Sequence, residues 1–211
     1  MAEQARTRLA RRAVVDAARI LFLERGYGAT TVEAISALAD VPPATLYRLF
    51  ASKLGILKAL LDQSIAGDDA PVAVAARPDV ARLFEKADPI ALLAGFAGVT
   101  TAINQRTNEL HRVLVGAAES DPGAAELLAE IRDQRGRGQR QIVRTLSRRK
   151  LLQTGLSVRD AEDRVHALMS PEVYRLLVVD RGWSPARYQG WLASTLAQQL
   201  LTGAPATDAR R

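Results

Sequence analysis

The chain has 211 residues, 48% of them hydrophobic and 25% charged, a balance that implies one or two folded domains and excludes a disordered or many-domain chain. With no cysteine and two histidines, it can hold no disulfide, thiolate metal centre or thiol nucleophile, and the cytoplasm is the expected compartment. The formal charge is +6, and +4 of it lies in residues 1–60, where nine Arg or Lys face five acids; this favours a polyanionic partner.

Apolar residues recur at helical spacing throughout and nothing alternates as strands do, so the expected fold class is all-α. Val14, Ala17, Ala18, Leu21 and Phe22 form the stripe of a first helix that stops at Arg25-Gly26. Thr30-x-x-Glu33 reads as a capping box for a short second helix carrying Val32, Ile35, Leu38 and Ala39. After Asp40-Val41-Pro42, Pro43 suits the first position of a third helix, with Leu46, Leu49 and Phe50 inward. Ser52 caps a fourth, striped by Leu57, Leu60, Leu61 and Ile65 and broken at Gly67-Asp68-Asp69 and Pro71. The domain boundary is placed within this fourth helix, giving domains 1–60 and 61–211.

Farther on, Asp88-Pro89, Asp121-Pro122, Ser170-Pro171 and Ser184-Pro185 each pair a capping oxygen with a proline fit for a first turn, and Ser157-x-x-Asp160 adds another helix start. Gly136 and Gly138 mark a break in the run 132–150, which reads as a solvated face. The ends, 1–6 and 203–211, lack periodicity and read as frayed. The longest uncharged runs, 89–105 and 188–207, are interrupted by Gly, Asn and Gln and are too polar to cross a bilayer. The basic start is not followed by the apolar segment of a signal peptide.

Two short helices joined by a tight turn, with a third helix behind them, describe a helix-turn-helix reader of double-stranded DNA. With Leu46, Leu49 and Phe50 inward, Ala44, Thr45 and Arg48 face out, flanked by Pro43 and Tyr47. Small residues let the helix sink into a major groove, where Thr45 and Arg48 can meet base edges and Tyr47 a phosphate. Lys53 opposes the dipole of the helix it begins, which local stability does not explain and a bound phosphate would. Thr31 is placed to grip the backbone similarly; the plain alternative for the charged residues is surface solvation.

The stretch from Arg12 to Leu61, above all Gly26-Tyr27-Gly28-Ala29-Thr30-Thr31-Val32, Thr45-Leu46-Tyr47-Arg48-Leu49-Phe50 and Ser52-Lys53, resembles the DNA-binding domain of the TetR (tetracycline repressor) family. The segment 170–185 is similar to a C-terminal pattern of some TetR-like regulators. The resemblance implies a homodimer that binds a pseudo-palindromic operator and releases it when a small-molecule effector enters the larger helical domain. Matched positions make Thr31, Tyr47 and Lys53 phosphate contacts, and Pro43, Ala44, Thr45 and Arg48 the recognition surface. The chain departs from the family's pattern with Asp40 where glycine is usual, Pro42 for a capping serine, Ala44 for a frequent glycine, and Leu54-Gly55 after Lys53. Aspartate tolerates the left-handed backbone such a turn needs.

In the larger domain, the segment with Ile90, Leu93, Ala94, Ala97, Gly98 and Thr101 reads first as a buried helix. The candidate ligand-binding residues are Phe96, Asn104, His111, Met169 and Tyr174. Tyr188, Trp191, Leu192 and Leu196, opposite Leu168, Val173 and Leu177, form either a dimer interface or the chain's own core, the aromatic content favouring the interface. His111 and His166 lack a third metal ligand and read as packing or surface residues. No nucleotide or catalytic signature appears, so neither metal nor cofactor is expected. A DNA-binding activator or architectural protein is the alternative, an enzyme of the helical domain a remote one.

Overall fold

In a computed structural model, the protein is described over residues 2–67, 74 and 77–202. Among these residues the fold is all-α: α1 (Ala2–Ala29), α2 (Val32–Ala39), α3 (Pro43–Phe50), α4 (Lys53–Ala66), α5 (Pro78–Glu85), α6 (Pro89–Ala118), α7 (Pro122–Arg148), α8 (Val158–Leu168), α9 (Pro171–Tyr174) and α10 (Pro185–Leu200). The helix begun by α9 widens into π-helical winding over Arg175–Asp180. The lone β-type contact in this set is a bridge between Leu152 and Leu201.

The caps explain where these helices begin. Asp88 accepts from the N–H of Ile90 and Ala91, Asp121 from Gly123 and Ala124, and Ser157, Ser170 and Ser184 from Asp160, Val173 and Arg187. Each satisfies backbone donors that a first turn leaves unpaired, as the sequence led us to expect. Helix α5 carried no such signal, because Arg77 precedes Pro78 without a side-chain cap. Two expectations are corrected: α1 is helical from Ala2 rather than frayed to residue 6, and α7 runs through Gly136 and Gly138 without a break. Roughly 1 kcal/mol per glycine is too little to interrupt a helix whose Leu127, Leu128, Ile142, Val143 and Leu146 are all buried. Gly67 closes α4 in the left-handed region at φ 82°. The breaks expected at 68–71 and the tail at 203–211 lie outside the described residues.

Two compact units emerge, one joining residues 1–69 to 109–131 and the other 70–108 to 132–211. A cut at residue 60 falls inside α4, and the first unit draws on α6 and α7 as well as on the start of the chain. Its core packs Val14, Ala18, Leu21 and Phe22 of α1 with Ile35, Leu46, Phe50, Leu57 and Leu60, and with Leu110, Leu114 and Leu127. The second unit buries Leu92, Leu93, Ala97, Ile142, Leu146, Val165, Tyr188, Leu192 and Leu196. Ile90, expected inward, is 46% exposed.

Candidate nucleic-acid interface

Helix α3 is eight residues long, two turns or about 12 Å. Leu46 and Phe50 fasten its inner side, with Leu49 half-buried beside them. The turn before it is locked from within: Ser36 donates its hydroxyl to the carbonyl of Val41 at 2.6 Å, and Asp40 sits in the left-handed region at φ 52°, ψ 43° with its N–H on Ser36 O. Aspartate therefore takes the conformation for which glycine would be usual. Pro42 offers no side-chain cap, and its carbonyl accepts from the N–H groups of Thr45 and Leu46 instead.

This anchoring turns a small, acid-free surface outward. Pro43, Ala44, Tyr47 and Arg48 are exposed and Thr45 is half-buried between them, the arrangement that the spacing of Leu46, Leu49 and Phe50 predicted. Thr31 is exposed at the head of α2, where its hydroxyl accepts from Ala34 N at 3.1 Å. It is the N-cap, which corrects the capping box read from Thr30. Thr30 is wholly buried, and its hydroxyl proton is shared between the carbonyls of Gly26 at 2.8 Å and Leu21 at 3.1 Å, closing the end of α1 where Gly26 leaves the helix at φ 77°.

Lys53 also departs from expectation. Its ammonium donates to Tyr27 O at 2.7 Å and Thr30 O at 2.8 Å and lies 4.1 Å from the centre of the Tyr27 ring. A cation at the start of α4 thus does have a local reason: it supplies donors to carbonyls at the end of α1. Three N–H bonds are available to a lysine, so one is left over. Burial pushes the Lys53 pKa down, opposed by the nearby Asp121 carboxylate. Tyr27 completes the cluster; burial, and then Asp121 as its hydrogen-bond acceptor, raise its phenol to about 12. No local pattern marks Tyr27 for this role, since its partners Lys53 and Asp121 lie far along the chain.

Two further residues brace α3. Arg11 donates to Leu49 O at 3.3 Å with its guanidinium 4.7 Å from the centre of the Phe50 ring. Gly55 sits so close beneath the end of α3 that a Cβ there would lie 1.9 Å from Phe50 O. The glycine that interrupts the family's pattern is what allows α3 and α4 to approach.

The second unit redistributes the remaining candidates. Phe96, Asn104, Met169 and Tyr174 are all buried in it, whereas His111 falls within the first unit. Tyr188, Leu192 and Leu196, read as a dimer interface, are fully buried in their own chain, so they cannot be reached by a partner in this conformation. Periodicity does not distinguish a chain's own core from a shared one. Tyr188 packs edge-on to Tyr174 at 5.0 Å and against Trp191 at 5.9 Å. Leu168, Val173, Leu177 and Trp191 are half-buried, and Leu176 and Val179 on the π-helical segment are 57% and 52% exposed.

The amide nitrogen of Asn104, 4% exposed, and the hydroxyl of Tyr188 are buried as polar neighbours of one another, in a loose rather than well-formed hydrogen bond. Gly95 has a packing reason: Leu83 of α5 occupies the space where its side chain would be. His166 is held by Gln139 Oε1 at Nδ1, 2.9 Å, and by Arg135 at Nε2, 3.2 Å. Arginine can only donate, so Nδ1 carries the proton. Among the described residues no cluster of three metal-ligating side chains occurs, and no helix is long and apolar enough to cross a membrane.

Comparison with known proteins bears on both units. Residues 14–60 match the bacterial regulatory proteins, tetR family. Over 50 residues the chain is 44% identical to the uncharacterized HTH-type transcriptional regulator YvkB of Bacillus subtilis (strain 168), a match spanning 24% of this chain and about a quarter (26%) of that protein. The fold is similar to that of native NalD, the secondary repressor of the MexAB-OprM multidrug efflux pump in Pseudomonas aeruginosa, with TM-score 0.71 and 21% identity over 94% of this chain and 99% of that one. It is also similar to the fatty acid degradation regulator FadR from Bacillus halodurans, with TM-score 0.66 and 16% identity over 92% and 95% of the two chains. The family match therefore rests on residues 14–60, and for the rest of the chain the likeness to these regulators is one of fold.

Proposed function

We propose that the protein is a ligand-responsive transcriptional repressor that binds a pseudo-palindromic DNA operator as a homodimer and lets go when a small-molecule effector binds its second unit. The observation that carries this reading is α3: a short helix with every large apolar residue turned in and Pro43, Ala44, Thr45, Tyr47 and Arg48 turned out. Such a rod fits a major groove about 12 Å wide. In this reading Thr45 and Arg48 meet base edges, with Pro43 and Ala44 letting the backbone close in. Thr31, Tyr47 and the remaining N–H of Lys53 meet phosphates. A two-fold dimer places its α3 helices one DNA turn apart, roughly 34–36 Å, or a multiple of it.

The dimer face is assigned to Leu168, Val173, Leu177 and Trp191 together with the exposed Leu176 and Val179, since apolar side chains clustered at a surface mark association sites. The effector is assigned to the surroundings of Phe96, Asn104, Met169 and Tyr174, where an acceptor on the ligand would compete with the Tyr188 hydroxyl for the Asn104 amide. An effector can move the DNA equilibrium only by binding one conformation more tightly than the other.

Binding isotherms on duplexes enriched from a random pool test the central claim. Thr45→Ala should change preference at particular base pairs, whereas Tyr47→Phe should weaken all sequences alike. Equal losses on every duplex for both variants would refute the division, and a monomer at all concentrations in sedimentation would refute the dimer.

A further inference from the structure

The family match begins at residue 14, yet α1 is helical from Ala2, so about three turns of helix precede the matched region. They carry Arg6, Arg8, Arg11 and Arg12 against a single acid, Glu3. All four arginines are exposed. At about 100° per residue, Arg8 lies between Arg11 and Arg12 on the rod, about 60° from the first and about 40° from the second, so the three fan across one basic strip. Like charges four residues apart oppose helix formation, and the one acid that answers them, Asp16 to Arg12 at 3.9 Å, is itself largely exposed. Among the described residues Arg8 makes no ion pair. Local stability therefore gives no reason for the strip.

Its direction supplies one. Arg11 touches Leu49 O and the Phe50 ring at the C-terminal end of α3, so one edge of this basic face rests on α3, with Arg8 next to that edge and Arg12 farther round the rod. Resting on the reading of α3 as the groove-entering helix, we propose that this strip is a second DNA-contacting surface, in which Arg8 and Arg12 clamp phosphates beside the stretch that α3 reads. Arg8 lies about one helical turn, roughly 5 Å, from Arg11 along the axis, and phosphate rims border the major groove at both ends of a helix seated across it. Phosphate contacts carry no sequence information, so the surface adds affinity and position to the base reading of α3 and leaves its specificity unchanged. Arg11 itself braces α3 and is left out of the test.

The test compares the full chain with Arg8→Gln/Arg12→Gln and with the charge-keeping Arg8→Lys/Arg12→Lys, on an enriched duplex and a scrambled one, across a salt series. Removing both arginines should lower the slope of log affinity against log salt by about one unit per arginine per subunit. The ratio between the two duplexes should stay constant, the protected footprint should shorten at its flanks, and the lysine pair should restore most of the slope. An unchanged slope and footprint would overturn the proposal, as would a loss of discrimination between duplexes with the slope intact. A wild-type chain that binds neither duplex would overturn the reading of α3 beneath it.

Discussion

The two compact units hold their candidate polar side chains in opposite places, although the first also buries the hydroxyls of Thr30, Ser36 and Ser64. Around α3 the apolar residues close on one another, and the polar side chains singled out, Thr31, Thr45, Tyr47 and Arg48, lie at or near the surface of a core that is complete without them. The second unit draws Thr100, Thr101, Asn104, Thr107, Asn108 and Gln139 inside. Some return a hydrogen bond to their own helix, as Thr101 does to Ala97 O and Thr107 to Ile103 O, while Asn104 does not close one. The contrast teaches where to look for function: outside the core in the first unit, where a side chain can be removed without unfolding, and inside it in the second, where each polar group must be satisfied or costs stability.

The largest effect expected from this contrast is at Leu192. If it belongs to the chain's own core, Leu192→Ala should lower stability by about 2–5 kcal/mol in denaturant unfolding, at any protein concentration. Leu176→Glu with Val179→Glu should leave the protomer folded and shift sedimentation toward monomer. The reverse pattern would return Leu192 to the interface. Next comes the close approach of α3 and α4: Gly55→Ala puts a methyl group onto Phe50 O and should cost about 1–3 kcal/mol in thermal unfolding, with DNA affinity falling alongside.

Smaller, and sharper for the two adjacent threonines, Thr31→Ala should cost about 1 kcal/mol as a lost cap and also weaken DNA binding. Thr30→Val should cost a similar amount while leaving DNA affinity in the folded protein unchanged. Smallest under ordinary conditions is the titration of Tyr27. Its phenol is raised from 10.0 to about 12, so the folded state favours the neutral form. That contribution is whole below pH 10 and disappears as pH climbs through about 12. Urea unfolding across this window should show an alkaline loss that Tyr27→Phe lacks.

Local chemistry made much of the first unit legible, because caps, prolines and a three-residue turn act over a few positions. Ser52 and the inward trio of α3 could be placed before any tertiary contact was considered. The mistakes arise where a distant residue decides the matter. Thr30 and Thr31 are equivalent candidates for a cap until the carbonyls of Leu21 and Gly26 claim the first. Lys53 looks unexplained until Tyr27 and Thr30, more than twenty positions away, turn carbonyls toward it. In the second unit the spacing of Tyr188, Leu192 and Leu196 fits a core or a dimer interface equally, and its aromatic content favours the interface, yet the stripe is buried in a cluster with residues of α6, α7 and α8 of its own chain. His111 shares a stretch of α6 with the first unit's core, a membership that no local pattern discloses.

Helices α4, α6 and α7 share the packing of the first unit: Leu57, Leu60 and Leu61 lie in one buried cluster with Leu110, Leu114, Leu127 and Leu128. A reader of DNA excised at residue 60 would expose that leucine seam to water and forfeit roughly 1.5–3 kcal/mol for each large side chain uncovered. Transplanting this specificity onto another regulator therefore requires a discontinuous graft in which the segment 109–131 travels with the opening helices, and chimeras joined at a single point should be insoluble or deaf to DNA.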